Sequence, residues 1–163
     1  PYREVFMKNI DVQRTFILGT QSERERAVID KLSPIASEIT GRDILLVDDS
    51  IVRGTTSKKL VSLLRQYGAT RVSLAVSCPP IKNPCVYGID FPSTQELLAN
   101  DKTTVDIAAW IGVDQLIYLE ESDLIAVMGK RICMGCVNAE YPTDLCDQEE
   151  FTNLRIQSDR QPS

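Results

Sequence analysis

A strand, a turn, a helix and a second strand follow one another between residues 44 and 76, and this order constrains the fold most. The wholly apolar run Ile44–Val47 predicts a strand that is buried on both faces. A helix follows and stops at Gly68, before a second strand over Val72–Val76. Two strands joined by a helix run parallel, so we predict an α/β fold. The apolar face of the helix carries Leu60, Val61, Leu63, Leu64 and Tyr67.

The remaining elements alternate in the same way, which predicts a parallel sheet with flanking helices. Gly41 ends one segment near Ile39. Further strands are predicted over Arg14–Leu18 and Leu116–Leu119, and helices over Ser22–Leu32, Thr94–Ala99, Thr103–Trp110 and Ser122–Met128, the last capped.

Composition excludes several classes of function. The 163 residues include no histidine, so neither a Ser-His-Asp or Cys-His device nor a histidine-ligated metal site can be built from them. A net charge of −5 argues against nucleic acid or an anionic membrane as the main partner. No apolar run approaches the roughly 18–20 residues of a membrane span. We expect a cytoplasmic protein, and a fragment or processed piece, since the chain opens at Pro1 without methionine.

The turn after the first strand carries the candidate chemistry. Asp48–Asp49 lie where open parallel sheets bind ligands, beyond a carboxyl strand end. Gly54–Ser57 then open a helix, whose free N–H groups attract phosphate oxygens. The carboxylates suit sugar hydroxyls or Mg²⁺, so a phosphorylated sugar satisfies both halves. The alternative is an ordinary turn in which these residues only cap the helix.

Cys133–Cys136 form a CxxC motif, and Cys85 is a third thiol further back in the chain. This spacing lets two thiolates bind one metal ion or cluster. Zinc, a redox pair, iron–sulfur ligands and two unremarkable thiols all remain open on spacing alone.

The stretch Leu45–Ser57 resembles the phosphoribosyl-pyrophosphate (PRPP) loop of type I phosphoribosyltransferases. Its residue sequence is similar to that of the glutamine PRPP amidotransferase family, and the similarity extends from Pro1 to about Asp144. The resemblance implies a type I phosphoribosyltransferase fold that is incomplete at its N-terminus. We expect a partial transferase domain over residues 1–130 and a C-terminal segment over 131–163, with the CxxC and an acidic, partly disordered tail. We expect the family's glutaminase domain to be absent from this piece. The agreeing segments are Pro1–Glu4, Lys8–Asn9, Arg14–Ile17, Pro84–Asp90 and Glu96–Ala99.

The activity implied by this resemblance is transfer of ammonia, taken from glutamine, to PRPP. The products are 5-phosphoribosylamine, pyrophosphate and glutamate, in the first committed step of purine synthesis. Asp48 and Asp49 would place Mg²⁺. No catalytic residue is assigned, although Lys8 and Arg14 are candidates in the family's flexible loop. The implied PRPP-binding residues are Asp48, Asp49, Ser50, Arg53, Gly54, Thr55, Thr56 and Ser57.

The resemblance also implies one of these interpretations of the cysteines. Cys85, Cys133 and Cys136 fall where the iron–sulfur subgroup ligates a 4Fe–4S cluster, whose fourth ligand would lie upstream of Pro1. Cys78 and Cys146 match no ligand position, and we interpret them as structural or incidental. Purine nucleotides as feedback inhibitors and a homo-oligomer are further implications.

The flexible loop departs from the family pattern at three positions. Ile10, Asp11 and Gln13 stand where members commonly carry Arg, Tyr and Gly, which should weaken pyrophosphate binding. Lineage drift and an inactive paralogue both explain this. Two other functions remain open: a type I phosphoribosyltransferase acting on a nucleobase, and a non-catalytic PRPP-binding regulator. We expect the fragment alone to be inactive.

Overall fold

The computed structural model describes residues 2–8, 32–89, 93–129 and 131–143. The predicted strand over Arg14–Leu18 and nearly all of the predicted helix over Ser22–Leu32 lie outside these residues. Within them, the chain forms two interleaved compact units. The described residues of the first belong to Pro1–Val47, Gly54–Ala75 and Val105–Ile117, and those of the second to Asp48–Arg53, Val76–Thr104 and Tyr118–Ser163. The predicted boundary at residue 130 separates a partial transferase domain from a C-terminal segment. The two compact units do not test this boundary, and it stays a prediction.

Five strands and five α-helices make up the described residues, with one turn of 3-10 helix over Thr94–Glu96. The strands are β1 (Phe6–Lys8), β2 (Leu32–Pro34), β3 (Asp43–Asp48), β4 (Arg71–Val76) and β5 (Gln115–Tyr118). The helices are α1 (Ala36–Ile39), α2 (Thr55–Gln66), α3 (Thr104–Ile111), α4 (Glu121–Met128) and α5 (Gly135–Asn138).

Strands β3, β4 and β5 form a sheet in that order. Main-chain hydrogen bonds at the strand ends join residue numbers that rise together on neighbouring strands, so the strands are parallel. This confirms the predicted parallel α/β arrangement. The donor and acceptor pairs are Thr70 and Arg42, Ser77 and Asp48, Asp114 and Val72, and Leu119 and Val76.

The core of the first unit lies between strand β4 and helices α2 and α3. Alternate residues of β4 are buried, as a pleated strand with one covered face requires. The helices contribute apolar side chains at helical spacing. Full burial of such a side chain stabilises the fold by roughly 1.5–3 kcal/mol. The buried residues are Val61, Leu64, Val72, Leu74, Ile107 and Ile111.

Strand β3 differs from the prediction that it is buried on both faces. Leu45 and Val47 are 58% and 69% exposed. Consecutive parallel strands have right-handed crossovers, which place α2 and α3 on the same side of the sheet. The opposite face of the sheet therefore carries Leu45 and Val47 together with Ile117, which is 43% exposed. The apolar run correctly predicted a parallel strand, but it wrongly predicted that both faces of this strand are buried.

The second unit contains the carboxyl-terminal residues of the three strands, the 3-10 turn and helices α4 and α5. The helix predicted over Thr94–Ala99 is wrong beyond the 3-10 turn, because the N–H of Leu98 donates to the carbonyl of Val52 instead. The last predicted helix begins one residue early, at Glu121, and Glu120 precedes it without a side-chain cap. No helix among the described residues is long and apolar enough to cross a membrane.

Helix α3 and strand β5 confirm their predictions to within one residue at each end. Helix α1 ends beside Gly41, whose φ is +70°, and α2 ends before Gly68, whose φ is +86°. Both stops were predicted from glycine. The antiparallel pairing of β1 with β2, in which Met7 lies opposite Ser33, was not predicted.

Candidate functional site

The acidic turn, which we define as Asp48–Arg53, begins at the last residue of β3. The N–H of Asp49 donates to Oδ1 of Asp48 at 3.0 Å, and the Ser50 hydroxyl donates to Oδ1 of Asp49 at 3.3 Å. Burial raises the pKa of Asp48, and the Asp49 charge adds to this, while the Asp49 N–H works in the opposite direction. The turn therefore holds two adjacent carboxylates that repel each other. A bound cation or hydroxyl donors would reduce this repulsion.

Ser77 fixes the main chain of the two acids. Its N–H donates to the Asp48 carbonyl at 3.0 Å, and its Oγ lies 3.4 Å from the carbonyl oxygens of both Asp48 and Asp49. Sequence reasoning missed this residue. Its position directly after the predicted strand that neighbours β3 is the signal that could have identified it.

Arg53 closes the other end of the acidic turn. Its Nε donates to Oε1 of Glu96 at 3.3 Å, and Glu96 also accepts from Ser93. Slight burial works to raise the pKa of Glu96, but the Arg53 charge and these hydrogen bonds lower it overall. The guanidinium predicted to bind PRPP is therefore already paired, and Glu96 is a second residue that the sequence analysis missed.

Gly54–Ser57 belong to the first unit and open helix α2. Gly54 precedes the helix with φ of +72°, a left-handed conformation that favours glycine. The N–H of Lys58 donates to the Gly54 carbonyl at 2.9 Å and closes the first turn. No side chain caps this helix start in the described structure. Its free N–H groups can receive an anion, as predicted from the sequence. Ser57 is buried and Thr56 is exposed.

The structure thus describes all eight predicted PRPP-binding residues, as one continuous stretch that passes from the second unit to the first at Arg53–Gly54. Their binding roles stay predictions. Of the two flexible-loop candidates, Lys8 is the last residue of β1, and Arg14 lies outside the described residues.

The cysteine cluster, which we define as Cys85, Cys133 and Cys136, is assembled from two segments of the second unit. The carbonyl of Cys136 accepts from the N–H groups of Lys82 and Asn83 at 2.9 and 3.0 Å. The Tyr141 hydroxyl donates to the Pro84 carbonyl at 2.7 Å. These contacts hold the CxxC segment near Cys85, and the role of the three cysteines as cluster ligands stays a prediction.

The two other thiols of the cluster influence Cys136 electrostatically. Burial raises the pKa of Cys136, and the charges of Cys85 and Cys133 raise it further. The N–H of Tyr87 donates to the Cys85 sulfur at 3.4 Å. Across residues 2–8, 32–89, 93–129 and 131–143, however, no three His, Cys, Asp or Glu side chains are arranged to hold a metal ion. The cysteines are neighbours that do not converge on one point.

Cys78 lies between these two regions of the second unit. Burial raises the pKa of this thiol, and the charges of Cys136 and Asp49 add to the effect. Burial also raises the pKa of Tyr118 to about 12, with a smaller contribution from Cys78. The Tyr118 hydroxyl is buried without a hydrogen-bond partner among the described residues. The sequence analysis assigned neither Cys78 nor Tyr118 as a ligand.

Comparison with protein families matches residues 6–114 to the phosphoribosyl transferase domain. The chain belongs to this family. The match covers β1 to β4 and ends just before β5, and it includes the acidic turn and the start of α2. The type I phosphoribosyltransferase fold expected from the resemblance is therefore confirmed.

Relatives within the phosphoribosyltransferases agree with the narrower resemblance. The chain is 48% identical to the amidophosphoribosyltransferase of Methanocaldococcus jannaschii over 146 residues, which cover 89% of this chain and 31% of the relative. It is 47% identical to the amidophosphoribosyltransferase of Saccharomyces cerevisiae over 125 residues, covering 77% and 24%. The chain therefore spans no more than about a third of the length of these relatives.

Solved structures give the same result. The glutamine PRPP amidotransferase of Bacillus subtilis, in complex with ADP and GMP, matches with a TM-score of 0.75 at 39% identity. This match covers 91% of our phosphoribosyltransferase chain and 34% of that chain. The resemblance to PRPP amidotransferases, found first in the acidic turn, thus extends over most of the chain.

Proposed function

We propose that this chain is the PRPP-binding part of an amidophosphoribosyltransferase. The whole protein would transfer ammonia from glutamine to PRPP and release pyrophosphate, in the first committed step of purine synthesis. The observation that carries this proposal is the acidic turn followed directly by the open start of α2, in a chain similar to amidophosphoribosyltransferases over most of its length.

Each half of the stretch has its own role in this proposal. Asp48 and Asp49 would accept hydrogen bonds from the ribose hydroxyls and would hold Mg²⁺, for which two adjacent carboxylates with mutual repulsion are suitable ligands. The N–H groups and hydroxyls of Gly54–Ser57 would bind the 5′-phosphate. Ser50 and Arg53 would complete the site, with Arg53 oriented by Glu96.

The proposed reaction needs charge stabilisation more than a covalent nucleophile. A bound magnesium ion would supply charge neutralisation for the departing pyrophosphate. Positive charge that develops on the anomeric carbon would be stabilised by the carboxylates of Asp48 and Asp49. The absence of histidine from the sequence is therefore compatible with this chemistry.

The cysteine cluster supports a second proposal, a structural 4Fe–4S cluster bound by Cys85, Cys133 and Cys136. Main-chain contacts bring the segments of the three thiols together, and the Cys85 sulfur accepts an N–H hydrogen bond. Such thiols are a suitable donor set. A fourth ligand would come from elsewhere in the whole protein, and the thiols would have to converge on binding. Iron and sulfide analysis of anaerobically purified whole protein tests this, and iron-free protein with full activity would contradict it.

Further partners follow from the same proposal. The Bacillus subtilis relative forms a complex with ADP and GMP, which supports purine nucleotides as feedback inhibitors here as well. We also propose a homo-oligomer in the cytoplasm, with no nucleic-acid or membrane partner. The fragment would be inactive with glutamine when it is separated from the rest of the protein.

Transfer assays with the whole protein distinguish this function from the two alternatives. PRPP with ammonium chloride should yield phosphoribosylamine, whereas PRPP with nucleobases should yield no nucleotide. Product from a nucleobase would favour another type I phosphoribosyltransferase. PRPP binding without any turnover would favour a regulator, and the Ile10, Asp11 and Gln13 departures would then account for the lost activity.

A further inference from the structure

We propose that Ser77 is a positioning residue for the magnesium and sugar site, because its hydroxyl fixes the main chain of Asp48 and Asp49. This inference rests on the function proposed above. It concerns a residue directly after β4, outside the stretch Leu45–Ser57 that resembles the PRPP loop.

The contacts of Ser77 separate into one that any residue could make and two that need a hydroxyl. Its N–H donates to the Asp48 carbonyl and continues the sheet hydrogen bonding beyond β3 and β4. Its Oγ lies 3.4 Å from the carbonyls of Asp48 and Asp49, so one rotatable proton can serve either acceptor. The side chain thereby reaches both peptide groups that orient the acids.

The acids need such support because they repel each other. Asp49 is exposed, so packing contributes little to holding its carboxylate, and Asp48 is only half-buried. A divalent cation requires both carboxylates to point toward one place. Fixing the two carbonyl groups restricts the directions that the side chains can take, and this raises affinity without a direct contact to the ligand.

The opposite end of the acidic turn is held independently. Leu98 donates its N–H to the Val52 carbonyl at 2.9 Å, and Arg53 pairs with Glu96. Ile51 is buried between these two ends. Loss of the Ser77 hydroxyl should therefore loosen the acid end of the turn while the Arg53 end and the fold persist.

The test is calorimetric titration of Mg–PRPP into the whole protein and its Ser77→Ala and Ser77→Thr variants. Ser77→Ala should weaken binding roughly threefold to tenfold, the effect of a modest hydrogen bond. It should also raise the Mg²⁺ concentration required for half-saturation. Ser77→Thr keeps the hydroxyl at an exposed strand end and should bind within about twofold of the parent. Ser73→Ala, within the preceding strand β4, is the matched control and should leave binding unchanged.

Three results would overturn the inference in distinguishable ways. If the parent does not bind Mg–PRPP, the proposed function fails and this inference falls with it. If the parent binds and Ser77→Ala binds equally well, the inference alone is wrong. If Ser77→Thr fails to restore affinity, or Ser73→Ala weakens it as much, the effect belongs to the strand and not to the hydroxyl. Should Ser77→Ala fail to fold, Ser77→Thr and Ser77→Cys decide, since cysteine's weaker hydrogen bonding should reduce affinity.

Discussion

The acidic turn and the cysteine cluster are both candidate ligand sites, but they are built differently. The acidic turn is six consecutive residues, and most of its internal geometry comes from the end of β3. The cysteine cluster joins two distant segments through Lys82, Asn83 and Tyr141, and its thiols do not converge among the described residues. Chain order alone brings the residues of the continuous site together, and distant contacts such as those of Ser77 and Glu96 then hold it, whereas the composite site is brought together by distant contacts.

The largest expected effect follows removal of both charges from the acidic turn. We expect Asp48→Asn with Asp49→Asn to weaken Mg–PRPP binding by about 100-fold or more, because each carboxylate would make charge-assisted contacts in the proposed site. Calorimetry with the whole protein measures this. Asp43→Asn, at the exposed opposite end of β3, is the matched control and should bind normally. A double variant with parental affinity would remove the acids from the site.

A change confined to the cysteine cluster tests whether the two regions are independent. A Cβ at Gly135 would overlap the Tyr141 ring, so Gly135→Ala should destabilise the CxxC segment by about 1–3 kcal/mol. Cys85 and Cys136 should then react faster with a thiol reagent, while Mg–PRPP affinity stays within about twofold. Removing the ring with Tyr141→Ala should reduce the cost of the alanine. A large loss of PRPP affinity would show that the regions are coupled.

Two glycines with nearly the same positive φ separate backbone strain from function. Gly54 and Gly41 have φ of +72° and +70°, so alanine at either should cost about 1–2 kcal/mol of unfolding free energy. We expect Gly54→Ala, and not Gly41→Ala, to weaken Mg–PRPP binding as well. Denaturant unfolding and calorimetry measure the two effects. Equal affinities for both variants would argue against a phosphate site at the start of α2.

The smallest expected effect is a pH dependence of the folding stability of the protein without ligand. Because the pKa of Asp48 is raised above 3.8, its charged form disfavours the folded state. Its contribution to stability is therefore fully present below about pH 3.8 and is lost as the pH rises through the raised pKa. Asp48→Asn should consequently be slightly more stable than the parent at neutral pH, and this advantage should vanish in acid. Thermal unfolding across pH measures the difference, and a constant difference would contradict it.

The sequence predicted most of the sheet because its signals are local. Strand β4, helix α2 and the stop at Gly68 each depend on periodicity or on a glycine within the element itself. The exposure of Leu45 and Val47 was not predictable in this way, because burial of a sheet face depends on where distant helices pack. The end of the predicted Thr94–Ala99 helix after one 3-10 turn was not predictable for a similar reason, since Leu98 bonds to Val52 and not within a helix.

The candidate site was predictable where it is continuous. The acids, the glycine and the hydroxyls could be found from their order after a buried strand. Ser77 and Glu96 could not, because each contacts the turn from another part of the chain. The pairing of Arg53 with Glu96 likewise needs tertiary information, and it adds an orienting partner to a residue that the sequence analysis named only as PRPP-binding.

The exposed side chains of Leu45, Val47 and Ile117 also have a practical consequence for work with this chain. They lie on one face of the sheet, Leu45 and Val47 on β3 and Ile117 on β5 with β4 between them, and exposed apolar side chains of this kind promote self-association of concentrated protein. Dilute samples, or mild detergent during handling, should accordingly give the cleanest biophysical measurements.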